Sequence, residues 1–267
     1  MAGSGVSISD GFLAGVVPGF LFALVLIVVA VVISHKRGYG GDRKYSGQEK
    51  WCAFKDALLA LLTPVIILGG IYSGTFTATE AAVIAVFYSV LVSMFIYKEM
   101  SWKELAGVFL ESGIASAAIL LIISIAAVFG VILSKQHVPQ MLAHAFTAIA
   151  PNKYIFLLLV NILLLIIGMF MENSSSIIIM TPLLAPIAAS YGVNLTHFGC
   201  IVVCNLAIGM VTPPFGLCLF TGNDLAQAKL GDTIRSLIPY LAVSMIALAL
   251  VTYVPDISMG LVKLIAS

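Results

Sequence analysis

The chain has 267 residues, of which 61% are hydrophobic and only 9% charged, with a mean hydropathy of +1.13. An ordinary soluble domain carries about 25% charged residues, and a water-soluble fold of this size has too little polar surface to cover so apolar a core. Lys+Arg number 13 against 12 Asp+Glu, so the net charge of +1 offers no basic field for nucleic acid. The four cysteines (Cys52, Cys200, Cys204, Cys218) have no CxxC spacing, and three lie in apolar segments, which excludes a disulfide scaffold or zinc ribbon. The composition is that of an all-α polytopic membrane protein.

A helix needs about 20 apolar residues to cross a ~30 Å hydrocarbon layer. The first such run, 11–34, is uncharged and stops at His35-Lys36-Arg37. It has no basic leader and no small-residue cleavage site, so it is a span rather than a signal peptide. The loop 35–56 holds six cations, Lys36, Arg37, Arg43, Lys44, Lys50 and Lys55, against Asp42, Glu49 and Asp56. By the positive-inside rule it is cytoplasmic, which places the N-terminus on the outer face of the membrane. Runs 57–79 and 81–97 predict two further spans, with Thr77-x-x-Glu80 between them as a capping box. Residues 98–111 alternate Trp102, Leu105, Val108 and Phe109 with Lys98, Lys103 and Glu104, the pattern of an interfacial amphipathic helix. A fourth span covers 112–134, an interfacial stretch with His137, Pro139 and His144 follows, and the last span covers 237–255. The expected organisation is thus about five full spans. The chain divides at about residue 112 into two parts, 1–112 and 113–267.

The stretch 154–221 is different. A half-length apolar arm runs into Gly168-Met169-Phe170-Met171-Glu172-Asn173-Ser174-Ser175-Ser176, then resumes to residue 189. A polar cluster between two short apolar arms predicts a re-entrant hairpin over 154–190. The next apolar element, 198–222, is interrupted at Gly209-Met210-Val211-Thr212-Pro213-Pro214-Phe215-Gly216. Two prolines remove two backbone donors, so Pro213, Pro214 and Gly216 mark a broken helix. Inside a membrane such a break lines a cavity or is buried in protein, and its free carbonyls suit a hard cation such as sodium. Thr212 adds a hydroxyl oxygen.

Three runs carry a family resemblance: Leu68 through Ala82 (LGGIYSGTFTATEAA), Gly168-Met169-Phe170-Met171-Glu172, and Asn205 through Gly216. A fourth, Gly11 through Gly19, is similar to a segment from the middle of the family's subunit. Together they resemble the large membrane subunit of the tripartite ATP-independent periplasmic (TRAP) transporters. That family has two inverted repeats and roughly 400 residues or more, so this chain resembles the C-terminal part, without the first hairpin and first broken helix.

The resemblance implies an elevator-type, sodium-coupled importer of small organic acids, of dicarboxylate or sialic-acid kind, with no enzymatic activity and sodium as coupling ion in place of a cofactor. Its partners would be a periplasmic substrate-binding protein and a small membrane subunit, with the chain itself in the bacterial inner membrane; either the chain is a fragment, or a separate chain supplies the missing N-terminal half. A sodium site would draw on Gly168, Gly209, Thr212 and Phe215, while Asn173, Ser174 and Asn205 would orient the tip or touch substrate. The family usually has Asp at position 172. The alternative is a structural half that completes a split carrier without transporting by itself. An intramembrane enzyme would need paired acids or metal ligands at depth, where Glu172 stands alone; as a helix N-terminal cap, Glu172 has a second reading.

Overall fold

The computed structural model describes residues 7–39, 46–137, 141, 146 and 149–266. Asp42, Arg43, Lys44, Pro139 and His144 lie outside the described residues. Among the described residues the regular structure is entirely helical, and seven helices there are long and apolar enough to cross a membrane. The chain divides into two compact units, Gly38–Ala118 on one side and Met1–Arg37 with Ile119–Ser267 on the other.

Within the smaller unit, α2 (Gly47–Tyr72) and α3 (Ala78–Leu91) fold back on each other. Both begin at reciprocal capping boxes. Ser46 and Glu49 form the first; Thr77 and Glu80 form the second, which is the one the sequence predicts. In each, the N-cap hydroxyl satisfies one orphan amide of the first turn and the Glu carboxylate another. The turn between the helices closes on Gly74 at φ +69°, and the Phe76 ring covers Gly70, where a Cβ would meet Phe76 Cδ2 at 2.5 Å. The Tyr88 hydroxyl then donates to the Leu59 carbonyl at 2.8 Å, and Tyr97 donates to Asp56. A π-helical turn, Val92–Ile96, ends α3.

The following helix departs from expectation. α4 runs from Trp102 to Lys135 as one 34-residue helix, with no boundary between an interfacial piece and a span. Ser101 and Glu104 cap its start, and no proline interrupts it, so the amphipathic beginning simply continues into the apolar run.

The larger unit contains α1 (Ile8–Arg37), α5 (Lys153–Phe170), α6 (Asn173–Ser190), α7 (Leu195–Gly209), α8 (Leu217–Ala226), α9 (Leu230–Tyr253) and α10 (Pro255–Ala266). Helix α7 is its hub. It packs along α5 and α6 and also meets α1, α9 and α10, whereas α5 and α6 touch each other little. Phe156, Val160, Leu164, Leu184, Ile187, Phe198, Ile201 and Leu206 are fully buried around it. The Tyr191 ring stacks on Phe156 at 4.5 Å, and its hydroxyl donates to the Ala150 carbonyl. Lipid is as apolar as these side chains, so close packing and hydrogen bonds, rather than escape from water, hold such helices together.

Two ends differ from the sequence reading. The last span begins earlier, at Leu230, and ends at Tyr253. Pro255, read from the sequence as the end of that span, instead starts α10. Proline is well suited to a first helical position, where its missing amide hydrogen is not needed. Asp256 and Lys263 bridge the exposed side of α10 at 2.8 Å.

Candidate functional site

The site forms where the C-terminal end of α5 meets the interruption after α7. Met171 (φ −120°, ψ 148°) and Glu172 (φ −63°, ψ 145°) are extended, so α5 stops at Phe170 and the chain turns into α6. The Met171 amide donates to Ile167, and the carbonyls of Gly168, Met169 and Phe170 are left beyond the helix's own ladder. Glu172 is the N-cap of α6. One carboxylate oxygen accepts from the Ser174 amide at 2.9 Å and the Ser174 hydroxyl at 3.0 Å, and the other from the Ser175 amide at 2.9 Å and hydroxyl at 3.3 Å. Of its two sequence readings, the structure displays the capping one. The Ser174 hydroxyl is therefore already engaged. Asn173 Oδ1 is buried without a hydrogen-bond partner among the described residues.

Helix α7 ends at Gly209, residues 210–216 form a turn, and α8 resumes at Leu217. The Pro213–Pro214 peptide is cis. Backbone bonds fold the turn on itself: the Thr212 amide donates to Gly209 at 2.9 Å, the Gly216 amide to Thr212 at 3.2 Å, and the Cys218 amide to Met210 at 3.0 Å. Gly216 has no room for a side chain, because a Cβ there would lie 2.6 Å from the Met210 carbonyl oxygen. The Thr212 hydroxyl gives its proton to Ile208 at 2.6 Å, leaving its oxygen lone pairs available.

The two pieces meet backbone to backbone. A Cβ on Gly209 would sit 2.7 Å from the Gly168 Cα and 2.8 Å from its carbonyl carbon, and a Cβ on Gly168 would sit 3.0 Å from the Leu206 carbonyl oxygen. The Phe170 and Phe215 rings also touch, with centroids 5.0 Å apart. Gly168, Gly209, Thr212 and Phe215 are thus gathered at one junction of helix ends, carbonyls and a hydroxyl, with no charged side chain among them.

Asn205 is placed differently. It is fully buried, and its amide donates to the Asn161 backbone carbonyl at 2.9 Å and to Asn161 Oδ1 at 2.6 Å, leaving its own Oδ1 without a partner among the described residues. Asn161 in turn donates to Leu157 and, at 3.1 Å, to the Thr252 hydroxyl. Farther along α7, buried His197 meets Ser258 Oγ at 2.6 Å and the Thr252 carbonyl at 3.3 Å. This polar ladder across α5, α7, α9 and α10 was invisible to spacing arguments. Its only signal is an asparagine within an apolar run. No group of three or more His, Cys, Asp or Glu suited to a metal occurs among the described residues.

Residues 1–257 match the family model described as the DctM component of the tripartite ATP-independent periplasmic transporter. The chain is 41% identical over 260 residues to the C4-dicarboxylate TRAP transporter large permease protein DctM of Pseudomonas aeruginosa, covering 97% of this chain and 61% of that protein. It is 40% identical over 254 residues to the isethionate TRAP transporter permease protein DctMQ of Oleidesulfovibrio alaskensis, covering 95% and 40% respectively. To the sialic acid TRAP transporter large permease protein SiaM of Vibrio cholerae it is 37% identical over 261 residues, covering 98% and 61%. The chain therefore spans about three-fifths or less of the length of these relatives. With helices for a multi-span membrane protein and a family match along nearly all of its length, the chain belongs to the DctM component family of the TRAP transporters.

Proposed function

We propose that the chain is the membrane-embedded part of a sodium-coupled carrier importing small organic anions across the bacterial inner membrane. The observation that carries this reading is the junction of Gly168 with Gly209, beside the Thr212 hydroxyl and the interrupted backbone 210–216. Bound there, sodium would supply positive charge that favours an anionic substrate at the same block, and by reciprocal linkage the substrate would tighten ion binding. Asn173 and Ser174, at the α6 N-terminus, are assigned to the substrate side; the Ser174 amide and hydroxyl are already held by the Glu172 carboxylate, so the Asn173 side chain carries this assignment. Asn205 is assigned a supporting role, with only its free Oδ1 to offer. The relatives' names point to C4-dicarboxylates, sialic acid and isethionate as the substrate class, and all three are anions.

In this reading a periplasmic binding protein delivers the substrate and a small membrane subunit assembles with the chain. The hairpin α5–α6 and the broken element α7–α8 move together to change exposure from one face to the other. A second reading, that the chain is a structural part or fragment of a carrier and does not transport by itself, is supported by its covering 61% of the Pseudomonas aeruginosa relative.

The test is sodium-dependent uptake in proteoliposomes containing the completed carrier and binding protein. Thr212→Ala is expected to raise the sodium concentration for half-maximal uptake about tenfold, equivalent to losing about 1.4 kcal/mol of ligation, and Thr212→Ser is expected to restore it. An unchanged sodium dependence in Thr212→Ala would remove the ion-site assignment. Orientation has its own check. A cysteine placed at Ser175 should react with impermeant reagents from the periplasmic side, and labelling from the cytoplasm would invert the proposed topology.

A further inference from the structure

The start of α7 lies beside the start of α5, the end of α9 and the start of α10, around a pocket of about 200 Å³ lined by Lys153, Asn194, His197, Thr252 and Pro255 among others. His197 is only 2% exposed. An ionisable side chain buried in a membrane protein is costly to keep and marks a functional position. This one stands at the opposite end of α7 from the interruption 210–216, so the proposed ion junction does not use it.

The two ring nitrogens meet different partners. Nε2 faces the Thr252 carbonyl at 3.3 Å. A carbonyl only accepts, so Nε2 carries a hydrogen. That carbonyl belongs to the last turn of α9, beyond the helix's own ladder, where the negative end of the dipole favours a cation. Nδ1 lies 2.6 Å from Ser258 Oγ, and the same oxygen lies 3.0 Å from the Pro255 carbonyl. A neutral ring therefore leaves the single Ser258 proton contested by two acceptors, Nδ1 and the Pro255 carbonyl. A proton added to the Nδ1 lone pair removes the contest. Nδ1–H then donates to Ser258 Oγ, Ser258 donates to Pro255, and Nε2–H keeps Thr252.

No other charge decides the state of this ring. On α5, the Lys153 ammonium sits over the Tyr154 ring at 5.2 Å. Tyr191, after α6, donates to the Ala150 carbonyl, and Tyr253 of α9 donates to the Tyr154 carbonyl. On α10, Asp256 is held by Lys263 at 2.8 Å. Asp10 stands in the first turn of α1, and Cys200 of α7 turns its thiol to the Ala14 carbonyl. None of these side chains bonds or pairs with His197 among the described residues.

We infer that His197, Thr252 and Ser258 form a proton-binding site, and that uptake of one proton at Nδ1 fastens the first turn of α10 to α7. The part that switches is the Ser258 hydroxyl, which turns from the ring to the Pro255 carbonyl. The pocket beside the ring is the route by which water delivers the proton.

The test is nitrogen NMR on the full chain in lipid nanodiscs, with His35, His137 and His144 replaced by Gln so that His197 is the remaining histidine. Its ring is expected as the Nε2–H tautomer when neutral, and to gain the Nδ1 proton within about pH 4–8, in a chain that stays folded by circular dichroism. Ser258→Ala removes the acceptor for Nδ1–H and should weaken proton binding about tenfold, one pH unit in the midpoint. Ser258→Thr keeps a hydroxyl and should titrate like wild type. Amide exchange in the first turn of α10, normalised to its intrinsic rate, should slow about threefold on protonation in wild type and not in Ser258→Ala. A neutral Nδ1–H tautomer, a ring that gains no proton in that range, or an unmoved midpoint in Ser258→Ala would each overturn the site. Exchange that ignores the proton would overturn the fastening of α10.

Discussion

Replacing Gly209 by Ala tests the backbone crossing that builds the site. The added Cβ would stand 2.7 Å and 2.8 Å from two backbone atoms of Gly168 and 3.1 Å from the Leu165 carbonyl oxygen. Carbon contacts are comfortable at about 3.5–4.0 Å, so α5 and α7 must separate by roughly 1 Å at this point. Backbone cannot rotate aside as a side-chain tip can. Overpacking of this kind typically costs about 1–3 kcal/mol. Alanine recovers at most about 1 kcal/mol of helix propensity, and less at the final residue of a helix. The expected net loss is about 1–2 kcal/mol, a fall of a few degrees in melting temperature for a chain this long.

Gly168→Ala should lose less, because its nearest contacts would be 3.0–3.2 Å. Gly222→Ala on α8, where nothing lies within 4 Å, should be neutral or slightly stabilising. The assay is thermal unfolding in detergent followed by circular dichroism, alongside sodium-dependent uptake. Uptake should fall in the same order, since the separated helix ends carry the carbonyls assigned to the ion. The reasoning is refuted if Gly209→Ala melts as high as Gly222→Ala, because the two sites would then be equally free.

Truncating Asn161 to Leu removes one acceptor of the buried Asn205 amide and the donor to Thr252, and should destabilise by about 1 kcal/mol, near the mean for membrane hydrogen bonds plus part of a desolvation penalty. Thr252→Val should lose less, since Asn161 still donates to Leu157. Glu172→Ala leaves the Ser174 and Ser175 amides uncapped and should cost about 1 kcal/mol of stability, while Glu172→Asp, which keeps both carboxylate oxygens, should cost little; equal losses in the two variants would exclude capping as the role. At the exposed end of α10, the hydrogen bond and then the charge of Lys263 hold the Asp256 carboxyl below its ordinary pKa. That pairing is present above the unfolded carboxylate pKa and is lost as pH falls through the lower folded value. A carboxyl titration by NMR should show the depression and its disappearance in Lys263→Gln, with little change in melting temperature because the pair is solvent-screened.

Much of this architecture is written locally. Thr77 and Glu80 are three residues apart, so their capping box follows from the chain itself, and Pro213-Pro214 breaks a helix whatever surrounds it. The contact between Gly168 and Gly209 is half-legible: each glycine stands next to a break, but that their backbones touch depends on the path of α5 over α7. The ladder is not legible at all, since Asn205 lies 44 residues from Asn161, and His197 lies 61 from Ser258. Asn205 therefore looked available to substrate when its amide is committed to a neighbouring helix. The continuity of α4 and the existence of α10 escaped for a different reason. Charges at 98–111 suggest a surface helix, but they contain no signal to stop one, and a final twelve-residue helix is too short to show a span's hydropathy.

These long-range contacts share one helix, and that constrains how the proposed movement can occur. His197, Asn205 and Gly209 mark the start, middle and end of α7, and lie within 12 residues, about 18 Å of helix rise. Each is tied to a different part of its surroundings: His197 to Ser258 and Thr252, Asn205 to Asn161, Gly209 to Gly168. A helix tied at three heights cannot tilt alone without breaking a buried hydrogen bond or opening a backbone contact. Any shift of the interruption 210–216 must then carry α5, α9 and α10 with it. Variants that loosen one tie, such as Asn161→Leu, should therefore weaken the dependence of uptake on sodium before they abolish ion binding, because the ion would still find its oxygens while the block no longer moves as one. If such a variant instead lost uptake and sodium binding in equal measure, the ladder would be part of the ion site rather than the frame that carries it.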